Sequence, residues 1–331
     1  MKKFSPVLLV ALFCGVAQAQ NPPTSPNAAD KVELKVRWQA GKRYLMKLMS
    51  EQKISQTMDG KPIVIDQTLG FNYVYAVQNV DAAGVAKVET EFRDVLFKIV
   101  APGEKAPTVI EYDSTKPKKE IPPAMSGIAS LVGQKVWMKI APDGQTREAG
   151  GFKEVIAHMI KSISVPPGAE RTIMENSLKS QFSEESFKEM LAQGMNKTYP
   201  AHPVAVGDSW KSDVKMTQSL PMQLVSTFTL KERKDGLSII GLESTLALDS
   251  KGKPMQAANS KIAMQLQGKQ SGTMQIRESD GWIMKSQAKL DFSGTVSVST
   301  TPSGPGDISR PTNKSWPISI VGTTTVDSED L

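Results

Sequence analysis

Alternating apolar and polar residues run through most of the chain. From Trp282 the even positions read Trp282, Met284, Ser286, Ala288, Leu290 and Phe292, while the odd ones read Ile283, Lys285, Gln287, Lys289, Asp291 and Ser293. A period of two with one wet side predicts a half-buried antiparallel strand. The parity continues through Val296 and Val298, so the ribbon is long, with a bend expected at Gly294. Val88, Thr90 and Phe92 share one parity, but Val95, Phe97 and Ile99 take the other, which predicts a bulge near Arg93 and Asp94 and a curved sheet. Ile262, Met264 and Leu266 alternate in the same way, and Met222, Leu224, Phe228 and Leu230 share a face across Ser226. Asp-Gly pairs at 59–60, 143–144, 235–236 and 280–281 supply the positive φ angles of tight turns and predict a hairpin meander. Further turns are expected at Ala82-Ala83-Gly84 and Lys251-Gly252-Lys253.

The period changes in the middle. Phe152, Val155, Ile156, Met159, Ile160 and Ile163 form a helical stripe that Pro166-Pro167 ends. A second helix is expected over Ala169 to Lys179. A third follows Ser183 as N-cap, with Glu184 and Glu185 in its first turn, Phe182 stapled onto Phe187, and Met190, Leu191 and Met195 on its buried side. A shorter helix is expected near Ala124 to Val132, and a last strand from Ile318 to Val326. The expected fold class is therefore α+β, a long curved antiparallel sheet, half-barrel-like, packed against amphipathic helices from the central segment. Residues 32–331 make one domain on this reading, with a β-half at 32–150, a helical segment at 152–197 and a second β-half at 204–326.

The N-terminus has Lys2 and Lys3, an apolar run from Val7 to Val16, and Ala17-Gln18-Ala19. That order is a secretory signal peptide cleaved after Ala19, followed by a flexible leader over 20–31. Export to the periplasm is the expected location. Cys14 follows Leu12 and Phe13 rather than the small residues of a lipid-attachment site, and cleavage leaves a chain without cysteine, which excludes disulfides, thiolate metal sites and cysteine nucleophiles. The formal charge of +6 loses Lys2 and Lys3 to become +4, and the lysines are scattered among acids, so no nucleic-acid surface is expected. No apolar run in the mature chain reaches the length of a membrane-spanning helix.

Candidate chemistry is thin. Gly207-Asp208-Ser209 could hold a hydrolase serine, but it leads into an alternating segment and no histidine follows it; the only histidines are His158 and His202. "AGKRYLMK" (40–47) and "VGDSWKSD" (206–213) share a pattern, glycine, two polar residues and an aromatic before alternation begins, so both read as strand starts. Neither histidine has a partner at metal spacing. Glu89 and Glu91 share a strand face with Lys87 and Arg93, which is the charge balance of a solvated surface rather than a glycosidase pair. Met46 and Met49, an odd number apart, point to opposite faces and do not make a copper site. No metal, cofactor or catalytic residue is assigned. Most methionines fall on stripes, where adaptable thioethers suit either a core or an apolar cavity.

The chain resembles a family of exported bacterial proteins of unknown function. "AGKRYLMK", "LVGQKVWMKIAPDGQTREAGGFKEVI" (131–156), "QFSEESFKEML" (181–191), "PVAVGDSW" (203–210) and "SGTMQIRESDGWIMKSQ" (271–287) carry the likeness. Each is a turn or strand start, and the resemblance brings no activity and no site residues. At the level of architecture alone, the plan is similar to the half-barrels of periplasmic lipoprotein and lipid carriers. The expected function is a non-enzymatic exported envelope module that binds an apolar ligand or a lipidated partner between sheet and helices. The inward candidates are Phe152, Ile156, Met159, Phe187, Met190, Leu191, Trp282 and Met284. Expected partners are a lipid, a lipoprotein or an envelope protein. The alternative is a structural or protein-interaction module with a filled core, and a hydrolase ranks third.

Overall fold

The structure, a computed structural model, describes residues 31–331 except 59, 117–120, 123–124, 164, 169–170, 173–174, 176–197, 217–220, 252–253, 258–259 and 301–311. In chain order the strands are β1 (Arg43–Met58), β2 (Lys61–Val80), β3 (Ala86–Ala101), β4 (Thr108–Asp113), β5 (Lys135–Ile140), β6 (Thr146–Gly150), β7 (Ser209–Met216), β8 (Met222–Lys234), β9 (Leu237–Asp249), β10 (Met255–Ala257), β11 (Ser260–Arg277), β12 (Ile283–Thr300) and β13 (Thr312–Asp330). Two helices accompany them among the described residues, α1 (Ser126–Ala129) and α2 (Phe152–Lys161).

These strands form one antiparallel sheet in the order β6-β5-β3-β2-β1-β13-β12-β11-β9-β8-β7, with β4 added beside β3 and β10 beside β11. The α+β expectation is overturned. Strand accounts for 65% of the described residues and helix for 7%, so the fold is mostly β. The physical reason is that alternation persists far longer than a typical strand, giving ribbons of 16 to 20 residues in β1, β2, β3, β11, β12 and β13, whereas the helical period holds for only ten residues in α2. The second and third expected helices fall mainly on residues outside those described.

The joints follow the predicted turn chemistry. Gly60, Gly84, Gly144, Gly236 and Gly281 all have φ between 72° and 78° and connect successive strands. Among the described residues only Asp235 of the non-glycine residues shares that region, at φ 53°, which completes a two-residue turn with Gly236 between β8 and β9. The expected bulge in β3 is present: Asn72 pairs with Asp94 and Tyr73 with Phe92, leaving Arg93 unopposed.

The last strand is the largest departure in position. Expected as a short appendage from Ile318, β13 begins at Thr312 and lies in the middle of the sheet, paired with β1 on one side and β12 on the other. Pro317, which reads as a break, is accommodated because pairing with β1 ends at Ile318 while pairing with β12 continues past it. Through β13 the two β-halves become one continuous sheet.

Candidate functional site

One face of the sheet is apolar and buried, and its residues line up from strand to strand. Ile65, Ile54, Ile320, Phe292, Gly268, Leu246, Leu224 and Val214 are direct neighbours across eight strands, a transverse row with no polar side chain. Two positions along each strand, about 6.8 Å at 3.4 Å per residue, the composition reverses. Gln67, Gln52, Gly322, Leu290, Gln270, Ser244, Ser226 and Ser212 form the next row. All its polar members are buried, from Ser244 at 1% exposed to Ser212 at 6%. In the C-terminal half this polar row separates two apolar clusters: Leu224, Leu246 and Leu266 belong to one, Phe228, Leu242 and Met274 to the other. Ser226 and Ser244 hydroxyls meet at 2.8 Å, and the Gln52 amide donates to Ser50 Oγ at 3.1 Å, which in turn lies 3.1 Å from Thr324 Oγ1.

The first cluster also takes in α2. Phe152, Val155 and Met159 are buried with Leu248, Leu266, Phe97 and Phe292 around the inner face. The helix starts at Gly151, whose φ of 88° lets the chain turn out of β6, and no side chain caps its first turn. Arg171 donates to the Ile160 oxygen in the helix's last turn and to the Ile163 and Val165 oxygens just beyond it, at 3.0 to 3.3 Å. A ten-residue helix without an N-cap bond is marginal by itself, so three apolar side chains and one guanidinium hold it in place.

The expected inward residues separate accordingly. Phe152 and Met159 come together in the first cluster, and Ile156 is half-buried on the flank of α2. Trp282 and Met284 belong elsewhere, in a cluster with Tyr44, Val77, Val88, Met138 and Ile140 at the end of the sheet where β1 begins. Phe187, Met190 and Leu191 lie outside the described residues. Tyr44 stacks on Trp282 with ring centroids 4.2 Å apart, and Trp38 and Tyr75 pack edge-on against the same indole. Beneath them Arg277 holds Asp280 through two bonds of 3.0 and 2.7 Å and reaches Asp330 at 2.9 Å. Burial pushes the Asp280 carboxyl upward, but the Arg277 guanidinium, the Trp282 backbone N–H and the Tyr44 hydroxyl outweigh it and hold the group below the ordinary carboxylate range. Burial, reinforced by the Asp280 charge, pushes the Tyr44 phenol up to about 12. Arg277, Asp280 and Asp330 tie the ends of β11 and β13 to the start of β1, a structural clasp.

The other candidates resolve into ordinary structure. Ser209 is the first residue of β7, an antiparallel edge strand, and its hydroxyl lies 2.8 Å from Thr229 Oγ1. Gly207 has φ 97° and donates to the Leu230 oxygen at 2.8 Å, while Leu230 donates to the Asp208 oxygen; Gly41, at φ 81°, bonds with Val77 in the same way. Glu89 and Glu91 share one cation, with Lys135 at 2.7 and 3.6 Å, beside a shallow outer recess of about 340 Å³. Among the described residues no three His, Cys, Asp or Glu side chains are grouped to hold a metal, and no helix is long and apolar enough to cross a membrane.

Of this row the sequence pattern marked only Ser226, as a step along the face that Met222, Leu224, Phe228 and Leu230 share. The union of its members into one row depends on register across β-strands far apart in the chain.

The family DUF6263, described as a family of unknown function, matches residues 83–283, from the β2–β3 turn to the first residue of β12. The chain belongs to this family. DUF6263 membership thus spans β3 to β11 and α2, but stops short of β13. No curated protein matches the chain. Among solved structures, the one described as lipid-protein interactions in lipovitellin is 9% identical with a TM-score of 0.41, the match covering 88% of this chain and 25% of that one. The chain therefore spans a quarter of that protein's length. The COG4313 outer membrane channel from Pseudomonas putida F1 is 6% identical with a TM-score of 0.23, covering 92% of this chain and all of the channel. Likenesses at this level assign neither fold nor function.

Proposed function

We propose that this DUF6263 chain is a non-enzymatic exported protein of the cell envelope whose inner sheet face takes an apolar chain, free or attached to a lipidated partner, beneath α2. The observation that carries this reading is the weakly anchored cover: α2 lies in the same apolar cluster as β1 to β5, β8, β9 and β11 to β13, yet of its residues only Phe152, Val155 and Met159 bury themselves there. Lifting so short a helix exposes a continuous apolar surface without breaking any strand pairing. Met125, Met159 and Met264 in the same cluster suit it to re-packing around an inserted chain. The pairing of Ser209 with Thr229 and of Glu89 and Glu91 with Lys135 supports the non-enzymatic part of the reading.

Native mass spectrometry of the protein purified from its host envelope tests it. A copurifying apolar molecule, or binding of methyl stearate by the delipidated chain, is expected. A bare chain that takes up no ester would favour a filled structural module instead.

A further inference from the structure

Two buried glutamines of the polar row, Gln67 and Gln270, have side-chain oxygens that accept no hydrogen bond from the described residues. They are 2% and 4% exposed. A buried acceptor without a donor is rare, because it keeps its desolvation penalty and gains no bond. In the same row Ser226 and Ser244 bond each other at 2.8 Å. The two open acceptors also sit within an apolar frame. On β11, Gln270 lies between Leu266 of one apolar cluster and Met274 of the next. On β2, Gln67 lies between Ile65 and Leu69, both buried.

We infer that this row reads a hydrogen-bond-donating group, a hydroxyl or an amide N–H, set between the apolar segments of an amphiphile that lies along the strands. The inference rests on the inner-face reading above and adds the ligand's chemistry to it. A chain running parallel to β11 crosses the row once, with the apolar clusters of Leu266 and Met274 on either side of the crossing, so the donor belongs in the interior of the ligand and not at its end. The open atoms of Gln67 and Gln270 are carbonyl oxygens, which a hydroxyl or an amide N–H completes and an ester oxygen or a carboxylate does not. A donor at the crossing supplies the bond that the glutamine lacks.

The test offers the delipidated full chain an equimolar mixture of methyl stearate and its analogue carrying one mid-chain hydroxyl, with bound masses compared by native mass spectrometry. The hydroxylated ester is expected to be bound in about tenfold excess, the effect of one hydrogen bond to a buried acceptor. In Gln67→Leu/Gln270→Leu the preference should fall to near unity while methyl stearate binding is retained. The variant is also expected to melt no lower than the natural chain without ligand, because leucine removes two unsatisfied acceptors at similar volume. Equal uptake of both esters by the natural chain overturns the inference and leaves the inner-face reading intact; that comparison needs no variant, so a misfolded double substitution does not rescue the idea. A preference that survives in a folded double variant overturns it as well. Uptake of neither ester brings down both readings.

Discussion

The starts of β1 and β7 share a backbone and differ in everything around it. Each opens on a glycine with positive φ, two polar residues and an aromatic, and each locks to its neighbour through the same reciprocal pair of bonds. Yet β1 enters the middle of the sheet between β2 and β13, while β7 is its last strand. Tyr44 is consequently 2% exposed, stacked on Trp282 and bonded at 3.4 Å to Asp280. Trp210 is half-buried, stacked on Phe228 at 5.6 Å, and donates to the Thr198 oxygen. Local sequence sets how a strand begins; the position in the sheet sets how much that beginning stabilises.

The largest expected effect separates the two aromatics. Tyr44→Ala should destabilise the protein by about 3–5 kcal/mol, as removal of a large core side chain does, whereas Trp210→Ala should cost about 2 kcal/mol at its half-exposed edge. Urea unfolding measures both, and equal losses would break the comparison. Asp280→Asn comes next, at about 3 kcal/mol, because it leaves the buried face of Arg277 short of its partner. Since the Asp280 carboxyl is held below its ordinary range, its contribution is present above the unfolded value near 4 and is lost as pH falls through the folded one. Stability of the natural chain should therefore drop on acidification below about pH 4, and Asp280→Asn should show a shallower acid limb.

Gly41→Ala and Gly207→Ala should behave alike, each losing about 1–2 kcal/mol from forcing a side chain into the left-handed region. A marked inequality between them would show that the two starts are not equivalent backbones. Ser209→Ala should be the mildest, about 0.5 kcal/mol for an exposed hydroxyl pair, with no change in any host phenotype. Loss of function at constant stability would restore the serine to candidacy as a nucleophile.

What the chain's patterning made legible was local. The parity switch at Arg93, the Asp-Gly joints and the stripe from Phe152 to Met159 are each decided by residues within a few positions of one another, and the structure has all of them. The central place of β13 was not legible, because Pro317 and the run Thr323 to Thr325 weaken its pattern and its partners lie more than 200 residues away in β1. Fold class was misjudged for a related reason. A helical stripe announces that a helix exists, but its weight in the architecture depends on how much sheet surrounds it. The polar row shows the same limit: Gln67 and Gln270 become neighbours of one feature only through four consecutive pairings, from β2 to β11.

The inner face as a ligand site is tested most directly by photo-crosslinking. The full chain would be incubated with a stearoyl ester bearing a diazirine at mid-chain, irradiated, and its labelled peptides mapped. Label on Phe152 to Met159 of α2 together with inner positions of β11 or β12, such as Leu266 and Leu290, is the expected result. Label confined to outward positions such as Val64 and Val321, or none at all, would contradict it.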